Sequence, residues 1–158
     1  MILTTVLIAY TGAMDPEAWK ANARAQLARA GHRSGGAREE VIGLLAARTC
    51  LASAQDLHDA LERRVGLASV YRALDVLTQL GVVHRVDVDG TARYEPADPT
   101  GEHHHHAICD RCGRMSPFAD EDLERLVHAV GERLGYAVDA HDIVLRGACP
   151  DCAPQPTG

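Results

Sequence analysis

The chain has 158 residues, among them nine histidines and five cysteines, and its formal net charge at pH 7 is −6. This length suffices for one domain with a hydrophobic core or for two small domains. Residues 1–13 are apolar, but they are too few to span a bilayer and lack the basic start of a signal peptide. Paired Cys-x-x-Cys motifs in such a chain favour metal binding in a reducing compartment, so we predict a cytoplasmic protein.

The charge is unevenly distributed along the chain. Residues 15–85 carry ten Lys and Arg against eight Asp and Glu, whereas residues 86–158 carry six against fourteen. A partner with phosphate groups is therefore expected to approach the N-terminal half, and the acidic half would need bound cations to do the same.

Four helices are predicted after residues 1–14, which we interpret as an extension without fixed structure. The first helix has Asp15 as its N-cap and Pro16 in its first turn, and it ends at Gly31. The second covers about residues 37–47. Apolar residues recur at helical spacing in both: Trp19, Ala23, Leu27 and Ala30 in the first, and Val41, Ile42, Leu44 and Leu45 in the second.

The third and fourth helices precede a change of pattern. Ser53 is predicted to cap the third, with Asp56 as the partner residue of a capping box. The fourth covers about residues 68–80. Its inward face is predicted from helical spacing to consist of Val70, Leu74 and Leu77. Tyr71 and Arg72 therefore lie on another face.

The apolar period then changes from about 3.6 residues to about 2. Residues 82–88 and 91–95 are predicted to be strands, joined by a two-residue type I′ turn at Asp89-Gly90. Helices followed by such a hairpin are typical of a winged helix-turn-helix, in which the helix before the hairpin enters the major groove of DNA.

A second domain is predicted after a hinge. Residues 96–102 contain two prolines and a glycine without apolar periodicity, which is typical of a linker. Residues 103–152 then contain a strand at 103–108, a short strand at 115–118, a helix at 120–134 and one or two strands at 136–147. Residues 153–158 are a predicted tail. The fold class is therefore α+β, with a winged domain over residues 15–95.

The strongest chemical signal is the pair of Cys-x-x-Cys motifs, Cys109 with Cys112 and Cys149 with Cys152. Each motif presents two thiolates to one metal ion, and two motifs complete a tetrahedral sulfur site that suits structural zinc. The alternative is one or two redox disulfides, although neither motif opens a helix as a thioredoxin-like motif does. Cys50 is left over and is predicted to be a buried thiol.

Four consecutive histidines, residues 103–106, precede the first cysteine motif. In a strand, successive side chains point to opposite faces. His103 and His105 would then face one way and His104 and His106 the other, so one strand could serve two metal sites.

Several segments of the chain occur in a characteristic order: GLASVYRALDVLTQLGVVHR, RYE, HHHHAICDRCG and GAC-x-x-C. In this order they resemble the ferric uptake regulator (Fur) family of metal-dependent repressors, and the resemblance covers about residues 14–152. It implies a winged-helix DNA-binding domain, a hinge and an α/β dimerisation domain with structural zinc and regulatory metal.

The resemblance also implies which residues bind metal. The structural zinc would be bound by the four cysteines of the two motifs. A site near the dimer interface would take His103, His105, Glu124 and His141. A regulatory site between the domains would take His84, His104 and His106, together with Glu95 or Asp98.

The sensed metal is less well defined. Imidazole and carboxylate ligands suit zinc, iron(II) or manganese without choosing between them. His84 at the start of the wing resembles the zinc-uptake branch (Zur), whereas Glu95 matches the iron- and peroxide-sensing branches. Leu51 stands where iron regulators often carry histidine, and the hinge sequence lacks the cysteine that zinc regulators commonly add. We expect a zinc sensor, with an iron- or peroxide-responsive regulator as the alternative.

Contacts with DNA are expected from the start of the fourth helix. Arg72 could bind guanine through two hydrogen bonds, and Tyr71 could contact a thymine methyl group or a phosphate. Arg33 matches a family position that reaches towards the minor groove, and Arg38 is a candidate phosphate contact.

The sequence thus predicts a homodimeric, metal-dependent repressor of metal-homeostasis genes that binds a palindromic operator in double-stranded DNA. Neither enzyme activity, nor a membrane, nor a small-molecule substrate is expected. A zinc hydrolase built on the histidines is a remote alternative, because it needs an open zinc position and a general base, and the sequence has no HExxH motif. A metal-storage or chaperone module would not need the winged pattern.

Overall fold

The structure is a computed structural model that describes residues 14–33, 35–48, 51–99 and 104–153. It divides into two compact units, one ending at His103 and the other beginning at His104. We call them the first and the second unit. The predictions for residues 1–13, Cys50, His103 and the tail from residue 154 lie outside the described residues. In the described part, no helix combines the length and the apolar composition that crossing a bilayer requires.

The first unit contains four helices whose ends follow from local sequence. Helix α1 spans Pro16–Arg29, α2 Ala37–Ala46, α3 Ala54–Ala60 and α4 Leu67–Gln79. The Asp15 carboxylate accepts a hydrogen bond from the N–H of Glu17 at the start of α1. Ser53 and Asp56 form a complete capping box at α3. Both caps are those that the sequence predicts.

The wing of the first unit is a three-stranded antiparallel sheet. Its strands are β1 at Ala52–Ser53, β2 at Val83–Val88 and β3 at Thr91–Pro96, in the order β1-β3-β2. Asp89 and Gly90 have positive φ angles of 54° and 72°, as a type I′ turn requires. The sequence does not predict β1, which pairs with β3 through only two residues and connects the hairpin to the start of α3.

One hydrophobic core fills the first unit. Its largest fully buried side chains are Trp19, Leu27, Ile42, Leu45, Leu57, Leu61, Leu74 and Leu77. The indole N–H of Trp19 donates a hydrogen bond to the carbonyl oxygen of Val82, 3.3 Å away, which connects α1 to the start of the wing. Ala30, predicted to continue the apolar stripe of α1, is exposed because the helix ends at Arg29.

The second unit is a three-stranded sheet with one helix. It contains β4 at His105–Cys109, β5 at Met115–Phe118, α5 at Glu121–Leu134 and β6 at Val144–Gly147. Strand β4 is central, antiparallel to β5 and parallel to β6. Of the predicted strand region 136–147, only β6 forms; the preceding residues pass over Gly131 of α5 as a loop.

Helix α5 has well-defined ends. The Asp120 carboxylate accepts a hydrogen bond from the N–H of Leu123, and Gly135 ends the helix in the left-handed conformation at φ 76°. In the single chain its apolar face is only partly covered, because Leu126 is 56% exposed and Leu134 is 68% exposed. Its one buried residue, Gly131, lies against Val138 of the loop that follows the helix.

Candidate functional site

The four cysteines of the two motifs meet at one end of the second unit. Cys109 ends β4 and Cys112 lies in the following turn, while Cys149 and Cys152 follow β6. Because β4 and β6 are parallel, their carboxyl ends lie at the same edge of the sheet. All four sulfur atoms lie within 4.8 Å of one another. The strand topology therefore gathers four thiols that are far apart in sequence.

The geometry of this cysteine cluster fits zinc. The Sγ atoms of Cys112 and Cys149 are 3.8 Å apart. A tetrahedral site with zinc–sulfur bonds of about 2.3 Å has sulfur–sulfur edges of about 3.8 Å. A disulfide would require about 2.05 Å between the sulfurs, and all four cysteines are free thiols. The arrangement therefore favours the metal interpretation over the redox disulfide.

Electrostatics within the cluster point the same way. The backbone N–H of Cys149 donates to the sulfur of Cys109 at 3.3 Å, and this bond with others from the first motif lowers the pKa of Cys109 to about 6. The neighbouring sulfurs of Cys112 and Cys149 raise the pKa of Cys152 to about 12. Four thiolates repel one another without a cation, so bound metal must displace the last proton.

Arginine side chains connect the two cysteine motifs. Arg111 donates a hydrogen bond of 2.7 Å to the carbonyl oxygen of Cys152, and Arg114 forms a 2.6 Å ion pair with Asp151. Their positive charges lie beside a group of sulfurs that becomes anionic when it binds zinc. They therefore bring the motifs together and offset part of the anionic charge.

A second group of metal-binding side chains joins α5 to the sheet. The Nε2 atom of His105 lies 2.7 Å from Oε1 of Glu124, and the Nε2 atom of His141 lies 3.0 Å from Oε2 of the same carboxylate. Their candidate ligand atoms all lie within 4.8 Å of one another. His105 is buried in β4, and His141 belongs to the loop before β6. We call this group the α5 site. Two imidazoles and a carboxylate suit zinc, iron(II) or manganese.

The histidine run alternates between the two faces of its strand. His105 points towards Glu124, whereas the rings of His104 and His106 contact each other with centroids 4.9 Å apart. His106 is only 2% exposed. This arrangement is the one that the strand period predicts for the three described histidines; His103 lies outside the described residues.

In the first unit, two of the predicted regulatory ligands lie side by side. His84 on β2 pairs directly with Glu95 on β3 in the antiparallel register, so their side chains share one face of the wing. Glu95 is buried and His84 is half-buried. Asp98 is half-buried and lies two residues beyond the end of β3, outside the paired strands.

The face of α4 that sequence analysis assigns to DNA is accessible. Tyr71 is 46% exposed and Arg72 is exposed, while the opposite face of the helix is buried in the core. The Arg72 guanidinium donates to the carbonyl oxygen of Ala68 at 3.2 Å. Arg33 is exposed, and Arg38 donates to the Arg33 carbonyl oxygen at 2.9 Å.

One more histidine, which the sequence interpretation leaves out of the ligand sets because it lies on a helix, is found beside the α5 site. His128 lies on α5 with its ring centroid 6.3 Å from that of His141, at an interplanar angle of 81°. The signal available in the sequence was its position four residues after Glu124, which places both side chains on neighbouring turns of one helix face.

Comparisons with known proteins agree with this architecture. The family model described as the ferric uptake regulator family matches residues 29–146. A ferric uptake regulation protein of Bordetella parapertussis is 38% identical over 104 residues, which cover 63% of this chain and 73% of that protein.

Two solved structures extend the comparison. The Helicobacter pylori ferric uptake regulator shares the fold with a TM-score of 0.74 at 24% identity, over 92% of this chain and 98% of that chain. A zinc uptake regulator in complex with zinc and DNA is 28% identical with a TM-score of 0.63, over 87% of this chain and 95% of that chain. Since the family model matches most of the chain, this protein belongs to the ferric uptake regulator family, a family of metal-responsive DNA-binding regulators.

Proposed function

We propose that this protein is a zinc-responsive transcriptional repressor of metal-homeostasis genes. It acts in the cytoplasm as a homodimer on a palindromic operator. Membership of the ferric uptake regulator family supports the regulatory role, and the likeness to a zinc uptake regulator solved with zinc and DNA supports the metal. Each part of the proposal rests on side chains that the fold makes available.

The DNA-binding part of the proposal rests on α4. Tyr71 and Arg72 lie near the N-terminal end of that helix and are exposed, as residues that meet base edges in a major groove must be. The first unit also carries the basic share of the chain, because residues 15–85 have ten basic against eight acidic side chains. Two copies related by a two-fold axis would place two such helices on successive major grooves.

The observation that carries the sensing part is the cross-strand pair of His84 and Glu95. The register of β2 and β3 holds an imidazole and a carboxylate side by side on the wing, and this favours Glu95 over Asp98 as the hinge-side ligand. We propose that these two residues share the regulatory metal with His104 and His106. The four cysteines would hold structural zinc, and His103 would join the α5 site.

The proposed mechanism is a population shift. Without regulatory metal, the linker allows many orientations of the two winged units of the dimer, few of which suit the operator. Metal that joins the wing to the histidine strand selects orientations in which both α4 helices fit. A coupling of about 1–3 kcal/mol would change operator affinity roughly 5- to 150-fold, and operator DNA would tighten metal binding by the same factor.

An iron(II)-responsive regulator is the second candidate. Curated relatives from Bordetella parapertussis and Neisseria meningitidis are named ferric uptake regulation proteins, and a buried carboxylate such as Glu95 suits iron(II) as well as zinc. The ligand atoms are nitrogen and oxygen in either case, so the distinction is one of affinity and must be measured.

The decisive experiment is an operator-binding titration with the cysteine cluster kept filled with zinc. Free zinc, and under anaerobic conditions free iron(II), would be buffered over a wide range. We expect zinc to switch on binding in the wild type, His84→Ala and Glu95→Gln to lose this response, and Arg125→Ala, a change of an exposed side chain on α5, to retain it. A response to iron(II) alone would favour the second candidate. An undiminished zinc response in both wing variants would contradict the proposed ligand set.

Arg72→Ala tests the DNA-binding part separately. If Arg72 binds a base, its loss is expected to weaken operator binding by about 1–3 kcal/mol and to relax sequence preference at one position in each half-site. A uniform loss on operator and unrelated DNA would instead make Arg72 a phosphate contact.

A further inference from the structure

One arginine of the wing lies on the face of the sheet that packs against α4. In β2, the side chains of Val83, Arg85 and Asp87 point to the same face, because successive side chains of a strand alternate. The register pairs Arg85 with Tyr94 of β3, and Tyr94 belongs to the hydrophobic core together with Leu74 of α4. The Arg85 side chain is 53% exposed, so it lies at the margin of this packed face, where the solvent reaches it.

Arg85 also lies near the residues of α4 that we assign to DNA. Burial raises the pKa of Tyr94, and the positive charge of Arg85 opposes this rise. Asp75 and Tyr71, both on α4, add to the rise, as does Asp87 on β2. Groups from the helix and from the wing therefore surround one hydroxyl group. It follows that Arg85 and Tyr71, which is 46% exposed, open onto neighbouring parts of the surface of the first unit.

The partner of Arg85 in this structure is the carboxylate of Asp87, two residues along the same strand. The Nη2 atom of Arg85 donates to Oδ2 of Asp87 at 3.5 Å. The two side chains are 53% and 56% exposed, and ion pairs with such exposure contribute little to stability. A phosphate group offers the planar guanidinium two oxygen acceptors in a suitable geometry. Phosphate can therefore replace the carboxylate of Asp87 readily.

We propose that Arg85 binds a phosphate of the DNA backbone beside the bases that α4 reads, and that Asp87 occupies its guanidinium until DNA displaces it. This inference rests on the proposed function in one respect, namely that Tyr71 and Arg72 of α4 face the major groove. Phosphate contacts fix the orientation of a protein on the duplex and carry no direct sequence information. The wing thereby anchors the first unit at a second point, next to its reading helix.

Asp87 makes this anchor weaker than an arginine alone would be. DNA must separate Arg85 from Asp87, and the freed carboxylate then lies close to a phosphate of like charge. Both effects are independent of base sequence, so Asp87 lowers the affinity for operator and unrelated DNA alike. Unrelated sites outnumber operators in a genome, and a weaker hold on them leaves more of the protein available for its operator.

The test is a salt titration of DNA binding by variants of this pair and of a matched pair. The full chain, with zinc in the cysteine cluster and with the metal that switches on operator binding, would be titrated onto an operator duplex and an unrelated duplex of equal length. The variants are Arg85→Ala, Arg85→Lys and Asp87→Asn. Arg125 and Asp122 form an exposed ion pair on α5, so Arg125→Ala and Asp122→Asn are controls with the same changes in net charge. Circular dichroism and zinc content check the fold.

Opposite effects are expected from the two members of the wing pair. Arg85→Ala should weaken binding to both duplexes at least roughly tenfold at low salt and reduce the salt slope by about 1.8 per dimer, or about 0.9 for each phosphate. Arg85→Lys should keep the slope, because the charge remains. Asp87→Asn should tighten binding to both duplexes roughly 2- to 10-fold. Each α5 control should stay within about twofold of the parent, because salt screens charges that do not contact DNA.

Parent-like affinity and salt slope in Arg85→Ala would overturn the phosphate contact, and so would a loss confined to one base position of the operator. An effect of Asp87→Asn no larger than that of Asp122→Asn would overturn the role of Asp87. Arg72→Ala separates this inference from the proposed function. If Arg72→Ala weakens operator binding while Arg85→Ala does not, the assignment of α4 stands and the inference fails. If Arg72→Ala leaves operator binding unchanged, the assignment of α4 itself fails.

Discussion

The two units of this chain are stabilised by different chemistry. The first unit encloses a continuous apolar core that runs from Trp19 to Tyr94. Among the described residues of the second unit, the only buried positions are His105, His106, Cys109 and Gly131. Three of these four carry side chains that bind metals. Where the first unit buries leucine, the second buries imidazole and thiol.

This difference shows how a small unit can fold with few buried aliphatic side chains. Apolar burial contributes roughly 25 cal/mol per Å², and the first unit buries its large apolar side chains in one continuous core. A structural zinc ion contributes its binding free energy directly to folding, because the site does not exist in the unfolded chain. Folding of the second unit therefore depends on its metal ligands, as folding of the first unit depends on its buried leucines.

The largest effect is expected from removing the metal of the second unit. Chelation of zinc, or Cys149→Ser, should abolish the protection of β4, β5 and β6 against amide hydrogen exchange while the first unit keeps its own. Without the fourth thiolate, the three remaining sulfurs cannot complete the tetrahedral site, and the cluster then cannot hold its ion. Hydrogen exchange resolved by residue measures this. Zinc added back should restore the wild type and not the variant; protection of β4–β6 that survives without metal would contradict the comparison.

The converse change acts on the first unit alone. Leu74→Ala removes a fully buried side chain of α4 and is expected to lower the free energy of unfolding of the first unit by about 2–5 kcal/mol, because a cavity remains. Denaturant unfolding followed by Trp19 fluorescence reports this unit. Gln79→Ala, exposed on the same helix, should change stability by no more than about 0.5 kcal/mol. The zinc content of the second unit should not change in either variant.

Two glycine-to-alanine changes should have opposite signs. In Gly131→Ala, the new Cβ would clash with the Cγ2 of Val138 and lie 3.3 Å from the carbonyl oxygen of Tyr136, so we expect a net loss of about 1–2 kcal/mol in the second unit. In Gly43→Ala on α2, nothing lies within 4 Å, and the gain in helix propensity is expected to add about 0.5–1 kcal/mol. Thermal unfolding of both variants measures the two changes in stability. If both changes had the same sign, the loop after α5 would have moved to accommodate the new methyl group.

The smallest effect concerns the capping box of α3. Ser53→Ala removes the hydroxyl that bonds Asp56 and should cost about 1 kcal/mol at neutral pH. Burial opposes ionisation of Asp56, but hydrogen bonds from the Ser53 hydroxyl and N–H outweigh it and lower the pKa of this carboxyl. A lowered pKa stabilises the fold above the ordinary carboxyl range, and this stabilisation is lost as pH falls through the folded pKa. The difference between the variant and the wild type, measured by denaturant unfolding, should therefore shrink in acid.

Local signals made much of the first unit predictable. Capping residues such as Asp15 and Ser53 bond to backbone N–H groups within three residues. Both partners of each cap can therefore be read from one short stretch of sequence. The turn at Asp89-Gly90 is likewise decided by two residues that tolerate positive φ. Strand β1 escaped prediction because two residues carry no period, and its formation depends on β3, some forty residues later.

In the second unit, the sequence could predict which residues form the metal sites but not how the fold brings their side chains together. Cysteine spacing identifies the cluster, and the strand period orients the histidines, but no local pattern states that Glu124 contacts both His105 and His141. That meeting follows from how α5 packs on the sheet. The absence of a strand at residues 136–143 has the same origin, since close packing of Val138 on Gly131 takes this segment across α5 instead of along β4.

The parallel pairing of β4 with β6 sets the order in which the protein is completed during synthesis. Every residue of the first unit's core has left the ribosome before the first cysteine motif emerges. Cys149 lies 37 residues after Cys112, and the synthesis of these residues takes about 2–7 seconds at usual rates of translation. Closure of the cysteine cluster is thus a late step of biogenesis, which follows synthesis of the entire apolar core of the first unit.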